Sequence, residues 1–171
     1  VLLNSEIVVI DMVTIKIGLI VNPIAGMGGA VGLKGTDGKG ILEKAIQLGA
    51  QPQSGRRCKE FLNNLTVPNE SITFLTWKGD MGENQLKQTN FKYELIDLDR
   101  NSGDRTSSED TIAVAKAFKD NKVSIIVFCG GDGTARDIYK AIGSSVPCIG
   151  IPAGVKIHSS VYAINPKACA A

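Results

Sequence analysis

The 171-residue chain is poor in aromatic side chains (5%), has one tryptophan and one histidine, and carries no block of basic residues. Its net charge is +2, with lysines and arginines scattered among acids. A nucleic-acid or membrane-surface binder would show a basic stripe, so neither partner is expected. No run approaches the roughly 20 apolar residues of a membrane span. The four cysteines, Cys58, Cys129, Cys148 and Cys169, form no C-x-x-C pair. They read as reduced structural thiols, and no metal site is expected from them. Residues 1–13 lack the basic start of a secretory leader and are interrupted by Glu6 and Asp11, so a cytoplasmic location is the expectation. Hydrophobic residues make up 43% and charged residues 21%, enough apolar material for one domain with a real core.

What the chain does have is a stretch from residue 123 to 134. An apolar run ends at Cys129 and is followed at once by Gly130-Gly131-Asp132-Gly133-Thr134. A helical pattern then places Ala135, Ile138, Ala141 and Ile142 on one face. Strand, glycine turn and helix put Asp132 at the carboxyl end of a buried strand, the edge where open α/β sheets bind ligands. The glycines allow positive φ and close approach of a ligand. Amides of Gly133 and Thr134, at the start of a helix, would attract a phosphate. A carboxylate repels phosphate, so Asp132 reads either as a base on a hydroxyl, as a magnesium-side ligand, or more plainly as the helix N-cap.

Residues 1–11 read as an extension, with residues 7–10 a possible edge strand, and residues 12–171 as one α/β domain. Residues 15–21 are β-branched and nearly uncharged, closed by Asn22-Pro23, and predict the first buried strand. The next segment, to Gly40, is so dense in glycine that it reads as a loop. Walker A fails there: Gly38-Lys39 has Leu33 where the first glycine belongs and Gly40 in place of the hydroxyl. The dinucleotide fingerprint fails too, because Gly26 and Gly28 are followed by Val31. Lys34, Thr36 and Asp37 supply a cation, a hydroxyl and a carboxylate, either for a phosphate and its magnesium or as ordinary solvated residues.

Helices are predicted over residues 41–48, with Ile41, Leu42, Ala45 and Leu48 on one face and Gly49 as cap, and over residues 54–65. Residues 72–76 and 92–98 predict strands, with a polar, weakly helical stretch over 81–89. Thr106 and Glu109 suggest a capping box for a helix to Lys119. Residues 147–151 predict a last buried strand, turned by Pro152-Ala153-Gly154. Alternating strands and helices argue a doubly wound, mostly parallel sheet, in which three glycine turns meet on one rim. His158 reads as an ordinary residue, Lys156 as either solvated or phosphate-facing, Arg136 and Asp137 as an ion pair or, alternatively, a nucleotide contact, and Trp77 as packing.

Gly-Gly-Asp-Gly-Thr after an apolar strand resembles the signature of the NAD kinase, diacylglycerol kinase and phosphofructokinase group. The segments around Asn22-Pro23 and Gly26, and Gly150-Ile-Pro152-Ala-Gly154-Val-Lys156, are similar to the ATP-NAD kinase-like branch that includes AcoX-like proteins. The resemblance implies an N-terminal α/β kinase domain that uses ATP or polyphosphate, with Mg2+, to phosphorylate the 2′-hydroxyl of NAD. Carried over, Asp132 is the base; Gly130, Gly131, Gly133 and Thr134 line the phosphate or nucleotide; Asn22, with Gly26 nearby, helps bind the donor. It also implies nucleotide partners, a homo-oligomer and a second, mostly β domain bearing an Asn-Glu/Asp motif; the chain is expected to be without that domain, either as a fragment of a two-domain protein or as a shortened relative. A lipid kinase of the diacylglycerol type and a non-catalytic nucleotide-binding module are the alternatives.

Overall fold

The computed structural model describes residues 14–33, 40–98, 106–154 and 157–171. Its centre is β1 (Ile15–Val21), whose residues from Ile17 onward are buried. An uninterrupted apolar strand is stable only where both faces are covered, and β1 has a neighbour on each side. It pairs in parallel with β2 (Ile72–Thr76) and with β4 (Ile125–Gly130). β3 (Lys92–Leu95) extends the sheet beyond β2, and β5 (Cys148–Pro152) extends it beyond β4. The five strands run in the order β3-β2-β1-β4-β5, all parallel. This is the doubly wound sheet expected from the alternation of strands and helices.

Helices cover both faces. On one side α3 (Ser54–Asn64) buries Cys58, Phe61 and Leu62 against Leu19, Val21, Phe74, Val127 and Cys129. The short α7 (Pro166–Ala170) packs beside α3, with Cys169 against the same cluster. On the other side α5 (Ser108–Asp120) and α6 (Asp132–Ile142) press Val114, Phe118, Ile138 and Ile142 onto Ile20, Leu75, Ile126 and Phe128. Each fully buried phenylalanine here (Phe74, Phe118, Phe128) contributes about 1.5–3 kcal/mol by leaving water. Trp77 is 2% exposed, a packing residue as expected, with the Lys78 ammonium over its ring.

Several local expectations shift. The glycine-dense segment contains a single helical turn, α1 (Met27–Ala30), which with α2 (Ile41–Gln47) buries Met27, Leu42, Ala45 and Ala50 in a small separate cluster. Leu48 is the C-cap of α2 and 54% exposed, so it leaves the predicted apolar face. Gly49 follows with φ +84, as its capping role requires. Between β2 and β3 the polar stretch forms one 3-10 turn and α4 (Glu83–Leu86). β3 ends at Leu95 rather than running on to Leu98. The capping box of α5 is Ser107 with Asp110, one residue later than Thr106 with Glu109. Asp110 is able to serve because its carboxylate reaches back to both the Ser107 amide (2.9 Å) and hydroxyl (3.0 Å). β5 is an edge strand and only partly buried at Cys148 and Ile149. Its open side is covered by the chain near Tyr162: Gly150 donates to the Val161 carbonyl (2.9 Å) and accepts from Ala163 (3.0 Å).

Candidate functional site

The order β3-β2-β1-β4-β5 reverses direction between β1 and β4, since successive strands are added first on one side of β1 and then on the other. The crevice beyond the carboxyl ends of those two strands is where such sheets bind ligands. Asn22 leaves β1 and Gly131-Asp132 leaves β4 at that crevice.

The three glycine turns do meet. The Asn22 amide donates to the Cys129 carbonyl at 2.9 Å, extending the β1–β4 ladder to the rim. The Asn22 side chain donates to the Thr134 hydroxyl at 3.0 Å and accepts from the Ile24 amide at 3.2 Å. Ala153, just after β5, donates to the Gly130 carbonyl at 2.9 Å. Gly26 has φ +80, and a side chain there would collide with the Ala153 carbonyl. The β1 turn thus lies directly on the β5 turn, and only glycine meets both demands at position 26.

The Gly-Gly-Asp-Gly-Thr turn works differently from the expectation. Neither Gly130 nor Gly131 adopts positive φ. At Gly130 a Cβ would fall 2.5 Å from the Thr134 hydroxyl oxygen, so the missing side chain is what lets the first turn of α6 fold back on the strand. At Gly131 nothing lies within 4 Å of such a Cβ, which leaves room for a ligand. Gly131, extended at φ −117, is the N-cap of α6, and no side chain caps that helix. Asp132 is therefore not the N-cap but the first helical residue, with Gly133 and Thr134 following it. Amides of this first turn have no partner within the helix and point along its axis toward the rim. Thr134 itself is 3% exposed, and its hydroxyl is engaged by Asn22. Asn22 and Thr134 thus hold the two turns in register, while the backbone at Gly131 stays open.

Asp132 is freed from capping because its carboxylate reaches the chain after β5. Its two oxygens accept from the amides of His158 (2.9 Å) and Ser159 (3.3 Å). A carboxylate offers about four acceptor positions, so two remain. It lies on the wall of a cavity of about 670 Å³ between α6 and residues 158–161, lined also by Phe128, Arg136, Tyr139, His158 and Val161. That volume suits a nucleoside-sized ligand. Arg136 is exposed on this wall and does not pair with Asp137, which instead meets Lys140 at 3.4 Å. His158 takes part through its backbone, with its side chain exposed.

Tyr162 was not singled out by its sequence context, since an isolated tyrosine carries no motif. Its ring meets Phe128 edge-on at 5.3 Å, and its hydroxyl is buried without a hydrogen-bond partner. Burial first, and then the Asp132 charge, push its phenol well above the usual range. Lys34, Thr36, Asp37 and Lys156 lie outside the described residues. Among the described residues no three histidine, cysteine, aspartate or glutamate side chains converge as a metal cluster. No helix among them is long and apolar enough to cross a membrane.

No curated protein matches the chain. The family profile described as the ATP-NAD kinase N-terminal domain matches residues 17–171, a span that takes in β1 from Ile17 onward, the other four strands and every rim residue described above. On that match, and with the sheet order and rim to go with it, the chain belongs to the ATP-NAD kinase family, as its N-terminal domain.

Proposed function

We propose that this domain handles the phosphates and presents the base in an NAD kinase-like phosphotransfer: ATP or polyphosphate donates a phosphoryl group to the 2′-hydroxyl of NAD. The observation that carries the reading is the position of Asp132. Its carboxylate is oriented by two backbone amides, keeps acceptor capacity, and lies at the end of β4 on the wall of a nucleoside-sized cavity between α6 and residues 158–161. The acceptor hydroxyl would sit within hydrogen-bond reach of that carboxylate, which takes its proton as the oxygen attacks the terminal phosphorus. The bond from that phosphorus to the donor's bridging oxygen breaks, and the shortened donor leaves. The open backbone at Gly131 and the first amides of α6 would lie against the phosphate oxygens. With no acidic cage among the described residues, magnesium would arrive on the donor's phosphates, its ordinary mode, and neutralise their charge. The family membership favours NAD over a lipid acceptor.

The test is NADP formation from NAD, magnesium and either ATP or polyphosphate, with wild type beside Asp132→Asn. Positioning and charge neutralisation dominate such transfers, and loss of the base should lower turnover by about 10²–10⁴-fold. Because the substitution keeps the shape of the side chain, the fold should survive, as checked by circular dichroism. Equal turnover in the variant would remove Asp132 from the chemistry. ATP-dependent thermal stabilisation without any NADP would favour the non-catalytic nucleotide-binding module.

A further inference from the structure

We propose that the amino end of α3 is a second oxyanion site, in which the free amides of residues 54–56, the Ser54 hydroxyl and the Arg57 guanidinium hold a phosphoryl group.

The site lies on the same rim as Asp132 but on the other face of the sheet. α3 packs with Leu19, Val127 and Cys129, whereas α6 packs with Ile20, Ile126 and Phe128. The Ser54 carbonyl accepts from the Cys129 thiol at 3.1 Å, and Cys129 lies one residue before the end of β4. The start of α3 is therefore fixed at the carboxyl edge of the central strand.

This helix begins without a cap. Gln53 stands at the N-cap, but its side-chain oxygen is taken by Arg56, at 3.2 and 3.0 Å. The first intrahelical bond from a backbone amide is that of Arg57, to the Gln53 carbonyl. The amides of residues 54–56 have no partner among the described residues, and over eleven residues the helix dipole adds to their pull on an anion.

Side chains supply the independent sign of a ligand. Ser54 is completely buried; its hydroxyl lies beside the Cys129 thiol but makes no hydrogen bond of good geometry. The Arg57 Nε is buried and also unpartnered. Its charge reaches the rim, where it favours the ionised Cys129 thiol against the opposing effect of burial. Gln85, 6% exposed, lies over the first turn: a Cβ on Gly55 would come 3.0 Å from its Nε2. Its Oε1 is unpartnered, and a half-turn of the amide would present a donor in that place. Buried polar groups are normally satisfied, because an unmade hydrogen bond is expensive. Here a hydroxyl, a guanidinium N–H and three amides go without partners around one helix terminus. A tetrahedral oxyanion satisfies such a donor set, and none of its donors is shared with the Asp132 site.

The experiment is titration of the full chain with inorganic phosphate at constant ionic strength, followed by calorimetry, for wild type, Ser54→Ala, Arg57→Gln and Asp132→Asn. Asp132→Asn alters the charge beside the α6 amides, but should keep the phosphate binding that Ser54→Ala weakens. Ser54→Ala and Arg57→Gln should each bind about tenfold more weakly, as expected for loss of one hydrogen bond to a charged group. Equal affinity in wild type and both variants, or no binding by wild type, overturns the proposal. Should Arg57→Gln fail to fold, Ser54→Ala decides, since it removes a single oxygen. If that variant gains thermal stability while keeping wild-type phosphate affinity, Ser54 is a packing residue and the site is refuted. Competition by ATP or by tripolyphosphate in wild type, weakened in Ser54→Ala, supports the site and identifies the source of the phosphoryl group. Because the readout is binding, a failure here leaves the Asp132 reading standing, and loss of NADP formation leaves this site standing.

Discussion

Gly26 and Asp132 carry the rim by opposite means, one through the absence of a side chain and one through the reach of one. Gly26 is held at φ +80 against the Ala153 carbonyl. Alanine there would meet both a left-handed backbone and a collision with main chain, which cannot swing aside. Gly26→Ala should therefore lower stability by about 2 kcal/mol or more and separate the β1 turn from the β5 turn. Denaturant melts would show the first effect, and weakened phosphate or ATP binding the second. For Asp132, the amide links to residues 158 and 159 mean that Asp132→Asn tests two things, the base and the anchor of that segment. Circular dichroism alongside turnover separates them. That Asp132 sits at a strand end was legible, because an apolar run stopped by glycines has few other readings. Its partners were not, since backbone amides leave no mark in a sequence and the contact spans residues far apart in the chain.

At the scale of elements, the clearest forecasts came from segments whose pattern and environment agree. Residues 72–76 are mostly apolar or β-branched, lie inside the sheet between β3 and β1, and form β2 as read. Residues 54–65 have one apolar face, and α3 follows it within one residue. Misreadings arose where tertiary contact decides. α7 is five residues long, capped by the Asn165 side chain and held by packing against α3, so its own periodicity is too short to announce it. β3 is an edge strand among the described residues, and all four of its residues pair with β2. The α5 capping box illustrates a degenerate signal: Thr106 and Ser107 both precede an acid by three residues, and geometry selects the second. Ser107→Ala should lower stability by about 1 kcal/mol, whereas Thr106→Ala should not, as equilibrium unfolding would show.

For the whole molecule, the thiols and Tyr162 set the response to alkali. Burial pushes Cys129 up to about 12 from an ordinary 9.0, raises Cys58 well above that value, and raises Cys169 to about 11. Tyr162 shifts in the same direction. A folded state that holds these protons more tightly than the unfolded chain is favoured below the unfolded values and loses that advantage as pH rises toward the folded ones. From about pH 9 for the thiols, and about pH 10 for Tyr162, each such group should remove on the order of 1 kcal/mol of stability per pH unit until its folded value is passed. Unfolding curves at pH 8 and pH 10 should therefore separate sharply. Cys129→Ala, with its own cavity penalty measured at pH 8, should reduce the separation.

The parallel order has a further consequence, in time rather than in space. Ile17 must find Ile125 to close the centre of the sheet, although most of the chain lies between them. No hairpin among the described strands can begin the process, because each of their pairings is parallel and needs a crossover. Closing such long loops precedes most of the reward from packing, which makes parallel sheets slow to assemble. During synthesis β1 can lie beside β2 early, but its other edge waits for β4 to emerge. The rim between β1 and β4, which carries Asn22, Gly131 and Asp132, is thus among the last parts of the sheet to form and cannot exist in any early folding species.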